Sequence, residues 1–496
     1  MAYRILAWFL RVVTRVFFRQ IEVAGLEHVP ATGPVLFAGN HPNSLIDPIL
    51  IITTCGRKVH FAAKDSLFKG RIMRALLRGL GAVPVARKDE RDGGQSAPTG
   101  PVRDAAERTS ANDKAFENMF SVLAAGGTIG IFPEGLSHDE SQLTKLKTGA
   151  ARLALGGATK ISQPVTIVPC GLTFIHPKRF RSRVLVQFGP PLVIEPGRST
   201  EPETVRTVTG EIDQAMRRLT INAPDWETVR ALDVVRRLYQ PREISIEDRV
   251  ELSRRFNQYY STVALDPKVI GLMSRVRVYQ EKLDELGLTD RELARDLSKL
   301  EIFARVLRHL ILVAFWLPLT APGAPLHIPT FAFARIAGAR LTPRKDVIAT
   351  TKLLIGMMLV LLSYAAAVSV LWWKVGFGWA VFAAILLPIS GWATLRVLDR
   401  LRLVRRGFGA LFRQLRFRRE VTQLRVEREG LSEDVVRIVT EVKPENLPAL
   451  FPPNDPRREE SEESRRARKN ADLDAELDKD DAEERAEDVA EDRGPE

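Results

Sequence analysis

The chain has 496 residues, 45% hydrophobic and 27% charged, enough for two to four domains and too apolar to be disordered throughout. Lys and Arg outnumber Asp and Glu by 73 to 61, a net +12, yet residues 471–496 hold 13 acids and 3 bases, so the first 470 residues carry +22 and point to a polyanionic partner, nucleic acid or an anionic membrane surface. Two cysteines, Cys55 and Cys170, exclude a disulfide framework and a Cys-rich zinc site.

The chain opens on an apolar stretch without a small-residue cleavage site, so no removed signal peptide is expected. Arg4, Arg11, Arg15 and Arg19 punctuate it, and at about 100° per residue they fall within an arc of about 80°. A narrow basic stripe on a strongly apolar helix fits a membrane interface, so 1–20 is expected to be an amphipathic membrane-associated helix. A helix packed on the neighbouring domain with its arginines in water is the alternative.

Residues 21–200 alternate between two kinds of segment. Strand-like runs are PVLFAG (34–39), VHFAA (59–63), AVPVA (82–86), TIGIF (128–132), VTIVPCG (165–171) and RVLVQFG (183–189). Helical stretches lie between them at 66–79, 113–125 and 148–156. This alternation predicts an α/β domain with a largely buried sheet. Gly, Ser, Pro and charge dominate 88–112, read as a mobile loop. Residues 201–305 carry apolar positions at three- and four-residue steps and are expected to be a helical accessory region.

A membrane region is predicted over 306–419. Residues 353–373 carry no charge over 21 positions, and 376–395 carry none over 20. Each is long enough to cross a hydrocarbon core of roughly 30 Å. Only Lys374 and Val375 separate them, so they form a transmembrane helical hairpin. Nine Arg and one Asp follow at 396–419, and Arg335, Arg340, Arg344 and Lys345 precede it. By the positive-inside rule both flanks, and with them both termini and the α/β domain, stay on the cytoplasmic side of the cytoplasmic membrane. Trp372, Trp373, Trp379 and Trp392 fall where an interfacial belt would place them. Residues 310–334 are apolar but hold four prolines, which predicts a broken, re-entrant hairpin. A cytoplasmic segment (420–452) and a disordered charged tail (453–496) complete the chain.

The chemistry-bearing residues fall in three groups. GNHPNSLIDP (39–48) follows a strand directly and holds His41 and Asp47, six positions apart. An imidazole can take a proton from an attacking hydroxyl if a carboxylate holds its other nitrogen. GTIGIFPEGLSHD (127–139) leaves Glu134 at a strand end between Pro133 and Gly135, which is either a site or a structural turn. Lys64, Arg71, Arg74, Arg78, Arg87 and Lys147 could hold a phosphate, although any one of them alone reads as a solvated surface charge.

Together these residues resemble a known family. NHPNSLIDP, AAKDSLFKGRIMRALLRGLGAVPVAR, IFPEGLSHDESQLTKLKTGAARLAL and VTIVPCGLTF are similar, in order, to the four blocks of the glycerolipid acyltransferases related to bacterial 1-acylglycerol-3-phosphate acyltransferase. The resemblance covers about residues 25–195. The common form has four residues between His and Asp; here there are five. That variant, the His-Asp pair after the FPEG serine, QPREISIEDRVELSRRFNQYY (240–260) and the C-terminal hairpin look like the fungal-type glycerol-3-phosphate and dihydroxyacetone-phosphate acyltransferases. The implied fold is an α/β acyltransferase domain with an added helical region and a C-terminal transmembrane helical hairpin.

The resemblance implies acyl transfer from acyl-CoA or acyl carrier protein to a glycerol phosphate hydroxyl. His41 would be the general base and Asp47 would orient it. Lys64, Arg87 and Lys147 would offer charge to the acceptor phosphate, and Glu134 and Gly135 would shape its pocket. No cofactor and no metal is expected beyond the thioester co-substrate. Membrane lipids are the expected partners. Nucleic acid is not, because no helix-turn-helix, zinc finger or aromatic–basic motif is present and the basic runs flank the membrane segments. The alternatives are a lysophospholipid transacylase or remodelling enzyme, and a non-catalytic membrane scaffold.

Overall fold

Val-, Ile- and Phe-rich runs bounded by glycine or proline become the strands of an eight-stranded sheet in the computed structural model of the chain. It describes residues 2–85, 105–241, 244–288, 290, 293, 299–342, 344–443, 450–452 and 455. The chain divides into two units, Met1–Pro224 with Arg344–Thr350, and Asp225–Pro343 with Thr351–Glu496.

The first unit runs α1 (Ala2–Phe17), β1 (Gln20–Ala24), β2 (Val35–Gly39), α2 (Ile46–Thr54), β3 (Val59–Lys64), α3 (Arg71–Gly79), β4 (Val83–Val85), α4 (Ala105–Ala124), β5 (Thr128–Ile131), α5 (Gly149–Ile161), β6 (Val165–Phe174), β7 (Arg183–Phe188), β8 (Leu192–Ile194) and α6 (Pro202–Arg217). Strand order is β1-β7-β6-β2-β5-β3-β4, with β8 also on β6. β7 and β8 run antiparallel to β6, and every other pairing is parallel. All five residues of β2 are buried, as a central parallel strand requires. The six expected strands are present. β1 and β8 are additional; QIEVA is too polar, and LVI too short, to stand out.

Two boundaries move. α6 was expected in the accessory region, but Val205, Val208, Ile212 and Met216 join Leu36, Met119, Ile129, Leu153 and Ile167 in one core. Burying such side chains contributes about 1.5–3 kcal/mol each, which holds α6 with the sheet. Residues 105–112, expected in a loop, open α4, where Ala and Glu favour helix; 88–104 lie outside the described residues. α1 packs one face on the α/β unit and leaves the other exposed. Ala7, Leu10, Thr14 and Phe17 are buried, and the Tyr3 hydroxyl accepts from the Val59 N–H (2.9 Å), while Ile5, Trp8, Val12 and Val16 stay exposed.

The second unit begins with α7 (Trp226–Tyr239), α8 (Ile246–Val263) and α9 (Pro267–Glu285), each started by a side-chain cap from Asp225, Ser245 or Asp266. α10 (Lys299–Thr320) and α11 (Ala324–Arg340) follow, then α12 (Ile348–Val375), α13 (Phe377–Arg416) and α14 (Arg418–Val442). Val234, Leu238, Tyr239, Leu252, Leu272 and Tyr279 share a core with Val421, Leu424, Val435 and Phe451. The expected 420–452 segment is therefore mostly a helix of this bundle. The charged tail from 453, expected to be disordered, lies outside the described residues apart from Asp455.

Lys345–Val375 and Phe377–Arg405 are long and apolar enough to cross a membrane, and Gly376 (φ 111°) breaks the chain between them. The proline-rich stretch is a pair of helical pieces bent by 106°. Ser390 repairs the break. Its hydroxyl accepts from the Gly323 N–H and donates to the Thr320 carbonyl, both at 3.0 Å, reinforcing the 3.2 Å bond between those two backbone groups at the bend.

Candidate active site

The C-terminal ends of β2, β5 and β6 lie side by side, because the strands are parallel and β2 sits between the other two. Ligand crevices of α/β sheets form at this edge. Three loops leave it, at 40–45, 132–148 and 175–182.

Asn40 ties down the first loop. Its amide donates to the Leu172 carbonyl (3.0 Å) and its side-chain oxygen accepts from the Leu172 N–H (2.7 Å), extending the ladder to β6 by one side chain. His41 is then held at both backbone atoms by the second loop. Its N–H donates to Glu134 Oε1 (2.9 Å) and its carbonyl accepts from the His138 N–H (3.1 Å). The imidazole stacks on Phe132, with centroids 4.0 Å apart and planes 7° from parallel, and Phe132 stacks on Phe61 at 5.5 Å. Gly130 makes room for that prop, since a Cβ there would stand 2.2 Å from the Phe61 ring.

Asp47 lies in the first turn of α2, where the helix N-terminus favours negative charge. Ser44 adopts a left-handed φ of 48°, and this turn closes the longer six-residue step. Asp47 Oδ2 accepts from His41 Nδ1 (2.8 Å) and from the Asn43 N–H (2.7 Å). Burial pushes the Asp47 carboxyl above its ordinary range, while the bonds from His41 and Asn43 pull the other way. A carboxylate oxygen can only accept, so Nδ1 carries the proton and Nε2 the lone pair. The His41 side chain keeps 14% exposure, and Nε2 has no protein partner among the described residues.

Glu134 is 2% exposed with both oxygens occupied. Oε1 holds the His41 N–H, while Oε2 accepts from the Thr144 N–H and hydroxyl (3.0 Å each) and pairs with His138 Nε2. Burial would raise its carboxyl, but the bonds from His138, Thr144 and His41 outweigh it and hold it below the usual range. Glu134 thus shapes the site through the backbone of His41. Gly135 (φ 82°) turns the same loop, and Lys147 lies across it, 2.7 Å from where a Cβ would stand.

The structure brings His41, Asp47, Glu134, Gly135 and Lys147 to one edge of the sheet. Lys64 ends β3 at that edge, next to β5, and Arg87 lies outside the described residues. Asn40, Asn43, Phe61, Phe132, His138 and Thr144 complete the arrangement without having been assigned a role. His138 alone left a signal, in the His-Asp pair. Cys55 and Cys170 are buried and free, and burial pushes the Cys55 thiol up to about 11, so neither is a thiolate nucleophile. Among the described residues no three His, Cys, Asp or Glu side chains are grouped to hold a metal ion.

Two family models match the chain in tandem. The Acyltransferase model covers residues 20–173, the part that carries the site, and the model of the glycerol-3-phosphate acyltransferase 2 C-terminal domain covers 231–447. An Acyltransferase domain followed by a glycerol-3-phosphate acyltransferase 2 C-terminal domain makes the chain similar to the glycerolipid acyltransferases. It is similar to glycerol-3-phosphate O-acyltransferase 2 of Saccharomyces cerevisiae, 26% identical over 475 residues, covering 73% of this chain and 64% of that one. Glycerol-3-phosphate O-acyltransferase 1 of the same yeast is 28% identical over 454 residues, covering 72% and 59%. The 1-acyl-sn-glycerol-3-phosphate acyltransferase of Borreliella burgdorferi is 30% identical over 167 residues, covering 34% and 58%. The chain spans 58% to 64% of the length of these three relatives.

Proposed function

We propose that the protein is a membrane-bound O-acyltransferase of phospholipid synthesis. It transfers a fatty acyl group from acyl-CoA or acyl carrier protein to a hydroxyl of glycerol 3-phosphate or 1-acylglycerol 3-phosphate. The observation that carries this reading is the 2.8 Å His41–Asp47 pair, with Nε2 left open at the C-terminal edge of parallel strands. The names of the yeast and Borreliella relatives support a glycerol phosphate acceptor.

His41 Nε2 takes the proton of the acceptor hydroxyl as its oxygen attacks the thioester carbonyl. Asp47, bonded to Nδ1, fixes the ring and stabilises the imidazolium that forms. As the tetrahedral intermediate collapses the C–S bond breaks, and the proton on Nε2 goes to the departing thiolate. The ester and the free thiol are the products, and no acyl-enzyme is needed. Lys147, with Lys64 and Arg87, offers charge to the acceptor phosphate.

Lys345–Val375 and Phe377–Arg405 cross the bilayer and return, keeping the arginine-rich flanks and the α/β unit on the cytoplasmic side. The exposed Ile5, Trp8, Val12 and Val16 of α1 enter the interface, and neighbouring bases add about 1 kcal/mol each toward anionic lipid. The test is transfer of radiolabelled acyl groups to glycerol 3-phosphate, dihydroxyacetone phosphate and lysophosphatidate by membranes carrying the protein. Transfer that vanishes in His41→Ala is expected. Equal transfer by wild type and His41→Ala, or none to any of these acceptors, would refute the proposal.

A further inference from the structure

Arg344–Thr350 is the one later stretch that belongs to the α/β unit, and it runs straight into α12. A single turn at Lys345–Val347 buries Asp346 to 7% exposure. A carboxylate is costly to bury unless it is fully bonded, so its partners matter. Asp346 Oδ2 accepts from the Ser137 hydroxyl (2.5 Å) and from Arg344 Nη2 (2.6 Å), and the same Nη2 donates to the Ser137 carbonyl (2.9 Å). Ser137 is the residue before His138, whose N–H holds the His41 carbonyl and whose ring pairs with Glu134. At the other end, the buried Thr350 hydroxyl donates to the Asn43 carbonyl (3.3 Å). The Asn43 N–H in turn donates to Asp47.

We infer that Asp346, assisted by Arg344 and Thr350, is a positioning residue for the His41–Asp47 pair, so that the residues opening the first membrane helix set the geometry of the reacting imidazole. One end of the segment fixes the loop that grips His41 by its backbone, and the other fixes the turn that presents Asp47. The inference rests on the acyltransferase reading above. It adds that the α/β unit is incomplete without a piece supplied from far down the chain. Misplacing a reacting group by about 1 Å can cost about 100-fold in rate, which sets the scale of the effect.

The test uses the full chain in membranes or detergent, with Asp346→Asn, Ser137→Ala, Ser137→Thr and the Ser137→Ala/Asp346→Asn pair. Acyl transfer is resolved into kcat and acceptor KM, with thermal unfolding and hydrogen exchange of residues 40–47 measured in parallel. Asp346→Asn and Ser137→Ala are expected to lower kcat by roughly 10- to 100-fold with little change in KM. The double variant should fall no further than the worse single, because the two groups share one bond. Ser137→Thr, which keeps the hydroxyl, should restore kcat. Exchange at 40–47 should speed up while the unfolding midpoint stays near that of wild type. Wild-type kcat and exchange in Asp346→Asn would overturn the inference, as would a loss that tracks unfolding and is not rescued by Ser137→Thr. An inactive wild type would sink the acyltransferase reading instead, leaving the exchange of 40–47 to decide the positioning role.

Discussion

Two histidine–carboxylate pairs sit on adjacent loops, and they differ in what each leaves unbonded. His41 commits Nδ1 to Asp47 and leaves Nε2 without a protein partner among the described residues. His138 is 5% exposed, pairs with Glu134 through Nε2 and accepts from the Glu140 N–H through Nδ1 (3.3 Å). The carboxylates divide the same way. Glu134 uses both oxygens, whereas Asp47 Oδ1 is buried without a partner among the described residues. Burial dominates at Asp47 and raises its carboxyl; bonds dominate at Glu134 and lower it. The same kinds of group thus give an open pair, the one proposed to react, where the bonding is incomplete and a brace where it is closed.

The sharpest way to break this comparison is His41→Ala, expected to lower kcat by roughly 10²- to 10⁴-fold while membrane extraction and folding are unchanged. Asp47→Asn should cost about 10²-fold or more in kcat without lowering the unfolding midpoint, because a buried charge that folding disfavours has been removed. Glu134→Gln should do the reverse in proportion. Its kcat falls by about tenfold through a loosened His41 backbone, and the midpoint drops clearly, since bonds to a charged group are worth about 1.5–3 kcal/mol each. His138→Gln, which trims the brace but leaves Glu134 its backbone partners, should lower the midpoint and change kcat only a few-fold.

Titration of stability separates the two carboxylates by sign. The lowered Glu134 contributes stability that is present above the unfolded pKa of about 4.3 and is lost as pH falls through its folded value. The raised Asp47 contributes stability that is present below its unfolded pKa of about 3.9 and is lost as pH rises through its folded value. Stability should therefore climb more steeply from acid toward neutral pH in Asp47→Asn than in wild type, and its acid-side loss should be blunted in Glu134→Gln. Unfolding midpoints across that range check both.

Much of this was legible in the sequence because it is local. Strand–helix alternation disclosed the sheet, charge-free runs disclosed the two long apolar helices, and His41 and Asp47 are close enough along the chain for one turn to join them. The contacts that select between roles are long-range. Nothing near Gly130 announces that its missing Cβ admits Phe61, and nothing near Ser137 points to Asp346, 209 positions away. α6 misled for a related reason. Its amphipathic pattern shows that one face is buried but not which core receives it.

The grip on both backbone atoms of His41 has a consequence for engineering. A donor loop grafted at 40–47 alone would meet a Glu134 carboxylate and a His138 amide spaced for a different backbone path. Transplanting this site between relatives of the scaffold is therefore a matter of moving 40–47, 132–148 and 344–350 together, as one discontinuous cassette.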